Sequence, residues 1–446
     1  MPTPRGALQR VLGVGFGLAI IVGGAVGVGI LRTPGTIAGL VQHEVLVFLA
    51  WGLAGLYALL QANNLAELAA AIPRSGGSYV FARRALGPYG GFLIGWSDWL
   101  ALTVATAYIP LAAAEYGARL VPSLAGFEPV VAVAGLAVFA SLQLAGVRAG
   151  SRTQEVVSLA KAAALLAFVA ACLLAPAAPG SLPYAGSPPR DIATGGVTLV
   201  AFAGALQLVI GAYGGWYAAA FFGEEQVDPG RDVPRALLLG VLVVMAIYLL
   251  MNAAYLHVLP IRALAASSLP AATAMQRVFG GASDRLVTGL ALLVLLGILN
   301  ALVMIAPRAL FAIARDGLFF RRAASVNRRG TPAVATILTA LVAVALALSG
   351  TFERLFALTA VLMTVVDAVN TLNVLVLRRR EPGLARPYRA WGAPLTTVIA
   401  LLASLALLVG FVAADRRTAL VAVIFMALSY PVYRQVARHS AVARHA

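Results

Sequence analysis

Twelve stretches of roughly twenty or more mostly apolar residues recur along this chain, at about 11–40, 44–71, 87–118, 128–147, 153–175, 192–223, 235–259, 283–314, 332–349, 353–377, 391–413 and 417–436. A segment of that length in hydrocarbon finds no water for its amides and carbonyls, so it must pair them within itself, as a helix. The chain therefore reads as an all-α integral membrane protein whose partner is the lipid bilayer. Only 11% of the residues are charged and 61% are hydrophobic, which excludes a soluble protein. Nothing at the start resembles a cleaved signal peptide, because the first stretch lacks a small-residue cleavage site and further spans follow it. The one cysteine, Cys172, lies inside the fifth stretch, so neither an intramolecular disulfide nor a cysteine metal site is expected. Four scattered histidines show no ligand spacing, and no cofactor is implied.

A formal charge of +16 could point to nucleic acid, but its distribution excludes that reading. Counting alternate loops, 23 arginines fall on one side and 9 on the other. The positive-inside rule then puts both termini in the cytoplasm, as an even number of spans requires, and makes this a multi-pass protein of the plasma membrane. The loops are short, so a single transmembrane domain is expected over 1–446. Its longest irregular piece, Pro176 to Arg190, is rich in Pro, Gly and Ser and marks a boundary between two halves.

Lys161 is the chain's only lysine and lies inside the fifth stretch. Either interface is about ten residues, or roughly 15 Å, away, too far for easy snorkelling. An ammonium at that depth faces a cavity or a partner. Each half also opens with glycine interruptions: Gly23, Gly24, Gly27 and Gly29 in the first stretch, Gly204, Gly211, Gly214 and Gly215 in the sixth. Glycine clusters at corresponding places in two halves point to broken helices around a midplane site, where half-helix amino ends hold a carboxylate and exposed carbonyls hold a cation or an amine. Close helix packing of the small-xxx-small type is the competing reading.

These features resemble the amino acid–polyamine–organocation (APC) superfamily, and most of all its L-type and cationic amino acid transporter branches with their bacterial relatives. The motifs that carry the resemblance are Gly27-Val28-Gly29-Ile30-Leu31, Ile72-Pro73-Arg74-Ser75-Gly76-Gly77-Ser78-Tyr79, Gln154 followed by Lys161, Ala212-Tyr213-Gly214-Gly215-Trp216 with Glu224 and Glu225 beyond, Ala314-Arg315-Asp316-Gly317, and Arg386-Pro387-Tyr388. The resemblance implies a LeuT-type fold, with inverted repeats over about 11–175 and 192–377, broken helices 1 and 6, and two extra helices over about 391–436. It implies secondary transport of an amino acid by alternating access, as an exchanger or with protons. The substrate carboxylate would meet the amides of Gly27, Val28 and Gly29. The amino group would meet carbonyls near Gly211, Ala212, Tyr213 and Gly214, with Tyr108 beside them. Lys161 would take the place that sodium holds in sodium-coupled members, reaching Gly23 or Val26.

The chain departs from the family pattern in three places. Val28 replaces a hydroxyl residue, Ile305-Ala306-Pro307 stands where relatives carry small hydroxyls, and Ile210-Gly211 stands where relatives place a gating aromatic. The gate would then come from Trp216, Tyr217 or Tyr108. Asp367, with Asn370 and Asn373 on roughly one face of the tenth stretch, fits proton coupling, recognition of a cationic substrate, or an interhelix network. Asp98 reads as a structural contact on the cytoplasmic side, and Glu67, Glu224 and Glu225 as ion pairs among arginines. Animal L-type relatives pair with a glycoprotein through a cysteine after the third span. The loop from Gly117 to Pro129 has none, so no disulfide-linked heavy chain is expected. A sensor on the same scaffold, or a carrier of polyamines or other amines, is the alternative. An enzyme is not expected, since no nucleophile–base pair appears.

Overall fold

Lipid leaves these stretches no structure but helix, and the helices break where glycine or proline withdraws support. The computed structural model describes residues 8–178, 199–280, 283–349 and 352–445, and among these the regular structure is helical with two isolated β-bridges. Most of the Pro176–Arg190 boundary lies outside the described residues, as do Arg5 and the start of the second repeat at 192. Among the described residues, eight helices are long and apolar enough to cross a membrane, and the bent pair Val14–Ala25 and Gly29–Val41 makes a ninth crossing. Three shorter apolar helices, Glu128–Leu144, Val200–Ala212 and Ala333–Leu348, fall on the fourth, sixth and ninth stretches. Every stretch read from the sequence thus carries a helix, and the architecture is LeuT-type.

The first span bends by 48° between its halves. Val26 leaves helical geometry at φ −72° and ψ 97°, inside the run of glycines that weakens the helix there. In the sixth span the helix Leu199–Ala212 ends, the chain turns over 213–217, and only a short 3-10 helix, Ala218–Phe221, follows. The inner half is therefore turns rather than an α-helical continuation. Gly215, at φ 102°, takes a conformation that other residues rarely adopt. The helix Ser78–Leu120 is kinked at Gly87, directly before Pro88, so a short amphipathic entrance precedes the third span.

The last two helices, Leu395–Ala414 and Arg416–His445, sit at the edge and turn Leu402, Val409, Leu420 and Val423 outward to lipid. A polar face on the second span, Glu44–Ala71, ties the first of them to the body. Gln61 Nε2 donates to Ser404 Oγ at 2.7 Å, Thr397 Oγ1 donates to Asn64 Oδ1 at 2.7 Å, and Tyr388 Oη donates to Asn63 Oδ1 at 2.6 Å. Where the helix packs on another helix and not on lipid, side chains like these supply the directional contacts that hydrocarbon cannot.

Candidate substrate and cation site

The fifth span, Val147–Leu174, turns Gln154, Ser158 and Lys161 to one face at intervals of four and three residues. That face meets the inner half of the first span. Ser158 Oγ donates to Ala19 O at 2.7 Å. One turn on, Lys161 Nζ donates to Gly23 O at 2.8 Å and to Val26 O at 2.7 Å. The side chain is 0% exposed. These carbonyls are free because the break deprives them of amide partners further along the helix. A buried ammonium is tolerable only when its donors are satisfied, and here the unwound backbone supplies the acceptors. The close approach needs Gly23, since a Cβ there would overlap the Gln154 amide. Gln154 is held in turn by Asn300 on the eighth span, whose Nδ2 donates to Gln154 Oε1 at 2.7 Å, and Gln143 Nε2 donates to Asn300 Oδ1 at 2.8 Å.

The two broken spans abut. A Cβ on Gly215 would come within 2.6 Å of the Gly24 carbonyl carbon, and one on Gly29 would lie 3.0 Å from Ala212 Cβ. Tyr248, on the seventh span Pro229–Val258, joins them further: its hydroxyl lies 2.8 Å from Ala25 O and 2.7 Å from Ala212 O. Gly211 O accepts from Gly214 N at 3.1 Å. A carbonyl has two lone pairs, so both acceptors of the sixth break retain capacity for an amine. Opposite them, the half-helix Gly29–Val41 begins at Val28 with no side-chain cap. Its first amides and the positive end of its dipole make an anion-binding end.

Not every residue proposed from sequence faces this junction. Gly29 and Ala212 meet there, with Gly27, Val28, Gly211 and Gly214 next to them along the chain. Tyr213 turns away, with its ring against Trp51 and Tyr248 and its hydroxyl donating to Trp51 O at 3.1 Å. Trp216 is buried, its ring edge-on to Tyr217. Tyr217 and Asp367 are each partly accessible. Tyr108 is buried on the third span. Asp98 is buried, and neither of its oxygens has a partner in hydrogen-bond geometry. Sequence reasoning missed Tyr248, Ser158 and Asn300.

Ion pairs join the helices on the arginine-rich side. Glu225 and Arg308 form a two-point pair at 2.6 Å with side chains 0% and 4% exposed, and the guanidinium lies over the Phe222 ring. The amides of Val11 and Leu12, just before the first span, donate to Glu225 O at 3.0 and 2.9 Å. Glu224 pairs with Arg315, and Asp316 with Arg74 and Arg83. Glu67 pairs with Arg378 and Arg386 nearby.

Two abutting helix breaks, with the Lys161 ammonium fixed against the first of them, give the geometry of a secondary transporter. The chain belongs to the amino acid permease family, which matches residues 17–432. It is 24% identical to the serine/threonine exchanger SteT of Bacillus subtilis, over 97% of this chain and 98% of that protein. It is 26% identical to the human b(0,+)-type amino acid transporter 1, over 86% and 79% respectively. The branched-chain amino acid permease BcaP of Bacillus subtilis is 25% identical, over 89% and 87%.

Proposed function

We propose that this permease carries neutral amino acids across the plasma membrane without sodium, by exchange or with protons, with both chain ends in the cytoplasm. The observation that carries the reading is the Lys161 ammonium on Gly23 O and Val26 O, a fixed charge where a bound cation would otherwise sit among the first-span carbonyls. The uncapped amides at Val28 and Gly29 would hold the substrate carboxylate, and the carbonyls of Gly211 and Ala212 its amino group. Tyr217 and Trp216 would close over it. Repeat one would run over about 11–175 and repeat two over about 192–377, rocking against each other as the inner ion pairs open. The arginine excess supports the orientation. The names of the relatives, an exchanger of serine and threonine and a branched-chain permease, support a neutral substrate.

The test is counterflow: purified protein in liposomes preloaded with unlabelled serine, threonine and leucine, with the same labelled amino acids outside. Labelled uptake above protein-free liposomes, equal in sodium and in choline medium, is expected. Absence of counterflow by folded protein overturns the transport reading, and a steep sodium dependence overturns the role given to Lys161.

A further inference from the structure

On the arginine-rich side, many arginines meet a carboxylate: Arg74 and Arg83 pair with Asp316, Arg308 with Glu225, Arg315 with Glu224, and Arg378 and Arg386 with Glu67. Another group does not. Arg10, Arg148, Arg328 and Arg329 converge on one open basin of about 670 Å³, with Gln9 and Gly146 in its wall. No acid lines it. All of these arginines are exposed, and among the described residues none of them enters an ion pair.

The basin is shaped by three segments that hold one another in place. Gly146, at φ 127°, leads the chain into the fifth span so close to the loop before the ninth that a Cβ would lie 2.9 Å from Arg329 Cβ. Val147 N donates to Arg329 O at 3.3 Å, and Asn327 Nδ2 donates to Leu144 O at 3.1 Å. Asn327 Oδ1 accepts from the amides of Arg329 and Thr331 at 3.0 and 2.9 Å, which fixes the turn that carries Arg328 and Arg329. Gln9 lies against the same turn, since a Cβ on Gly330 would come within 3.1 Å of Gln9 Cγ. The helix Val147–Leu174 starts at this wall with no side-chain cap and no acid in its first turn, so its positive end adds to the field of the guanidiniums.

Converging guanidiniums match phosphate oxygens, which arginine grips at two points. The position selects a phosphate carried by lipid. The basin lies where the first, fifth and ninth spans begin and the fourth ends. From its rim Glu128–Leu144 and Ala333–Leu348 run packed together along the body and expose Val138, Ile337 and Leu341, an apolar track for acyl chains. A basic pocket between spans at the membrane surface suits an anionic headgroup. We propose that this basin binds the headgroup of an anionic phospholipid and thereby clamps the segment before the first span to the loops ahead of the fifth and ninth. Val11 and Leu12 donate their amides to Glu225 O, so a headgroup that holds Arg10 also holds the backbone beside the Glu225–Arg308 pair. The site is independent of which substrate the protein carries.

The experiment gives full-length protein in neutral detergent equal amounts of phosphatidylglycerol and phosphatidylcholine, and native mass spectrometry reads the lipid retained. Wild-type protein should retain phosphatidylglycerol preferentially and melt at a higher temperature with it. A basic side chain beside an anionic surface contributes about fivefold in affinity, so Arg10→Gln, Arg148→Gln, Arg328→Gln and Arg329→Gln together should lower retention by more than about tenfold. That variant should also lose the rise in melting temperature. Arg231→Gln, Arg235→Gln, Arg379→Gln and Arg389→Gln together remove the same charge from exposed positions on the same side and should leave both readouts unchanged. Should the fourfold basin variant not fold, Arg10→Gln with Arg328→Gln carries the test, with a severalfold loss expected. Absence of a preference in wild type overturns the proposal, as does full retention in a folded basin variant or equal loss in the two sets. Inorganic phosphate should not displace the lipid; displacement at equal concentration assigns the basin to a free anion and overturns the lipid assignment.

Discussion

Replacing Lys161 by methionine removes the charge and both hydrogen bonds while keeping an unbranched stem of similar length. A hydrogen bond to a charged group contributes about 1.5–3 kcal/mol, so the two bonds to Gly23 O and Val26 O together contribute about 3–6 kcal/mol. The thioether recovers part of this by burying apolar surface, which leaves about 3 kcal/mol against the bent first span. If substrate binds only to that bent geometry, the half-saturation concentration should rise roughly 100-fold. The assay is counterflow with increasing labelled serine, threonine or leucine, and gel filtration confirms that the variant is folded. Lys161→Arg separates charge from shape. The Lys161 side chain is fully buried with Gly297 beside it, so a larger planar guanidinium would have to displace its neighbours. The arginine variant should therefore fail as well. Wild-type half-saturation and rate in a folded methionine variant would refute the argument, since the first-span break would then hold without its cation.

Other tests follow from the same geometry. Replacing external sodium by choline should leave initial uptake unchanged. Gly215→Ala should abolish uptake, because the added carbon meets the Gly24 backbone and the residue sits at φ 102°; melting of the purified variant tells whether the fold survives. Tyr248→Phe removes the hydroxyl shared by Ala25 O and Ala212 O. At about 1–3 kcal/mol for carbonyls left unpaired, its substrate affinity should fall at least several-fold. Glu225→Gln leaves Arg308 buried beside a neutral partner and should cost about 3–5 kcal/mol, read as a lower melting temperature, whereas pairing Glu225→Leu with Arg308→Met should restore much of it.

How much of this was readable beforehand depended on whether a residue's cost is local. Lys161 and the glycine runs announce themselves, because a charge or a weakened helix in hydrocarbon is expensive wherever its neighbours lie. The helix count was readable for the same reason. Tyr248 was not: a tyrosine on an apolar helix acquires its role from the rotation of that helix against two others. Asn300 and Ser158 are hidden likewise, since a polar residue among leucines says only that it needs a partner. The contact of the Tyr213 ring with Trp51 and Tyr248 was hidden too, because adjacency to a break does not decide which way a side chain turns. The sixth span's inner half was expected as helix, but Gly214 and Gly215 loosen the backbone enough that turns and a 3-10 segment replace it.

The solitary lysine has a practical consequence. Apart from the chain's own α-amino group, Lys161 is the one primary amine in the protein, and it is sealed from solvent. Acylating reagents and lysine-specific proteases should therefore pass over the folded body. Any modification at Lys161 would timestamp a separation of the fifth span from the first, a conformational clock that needs no engineered label.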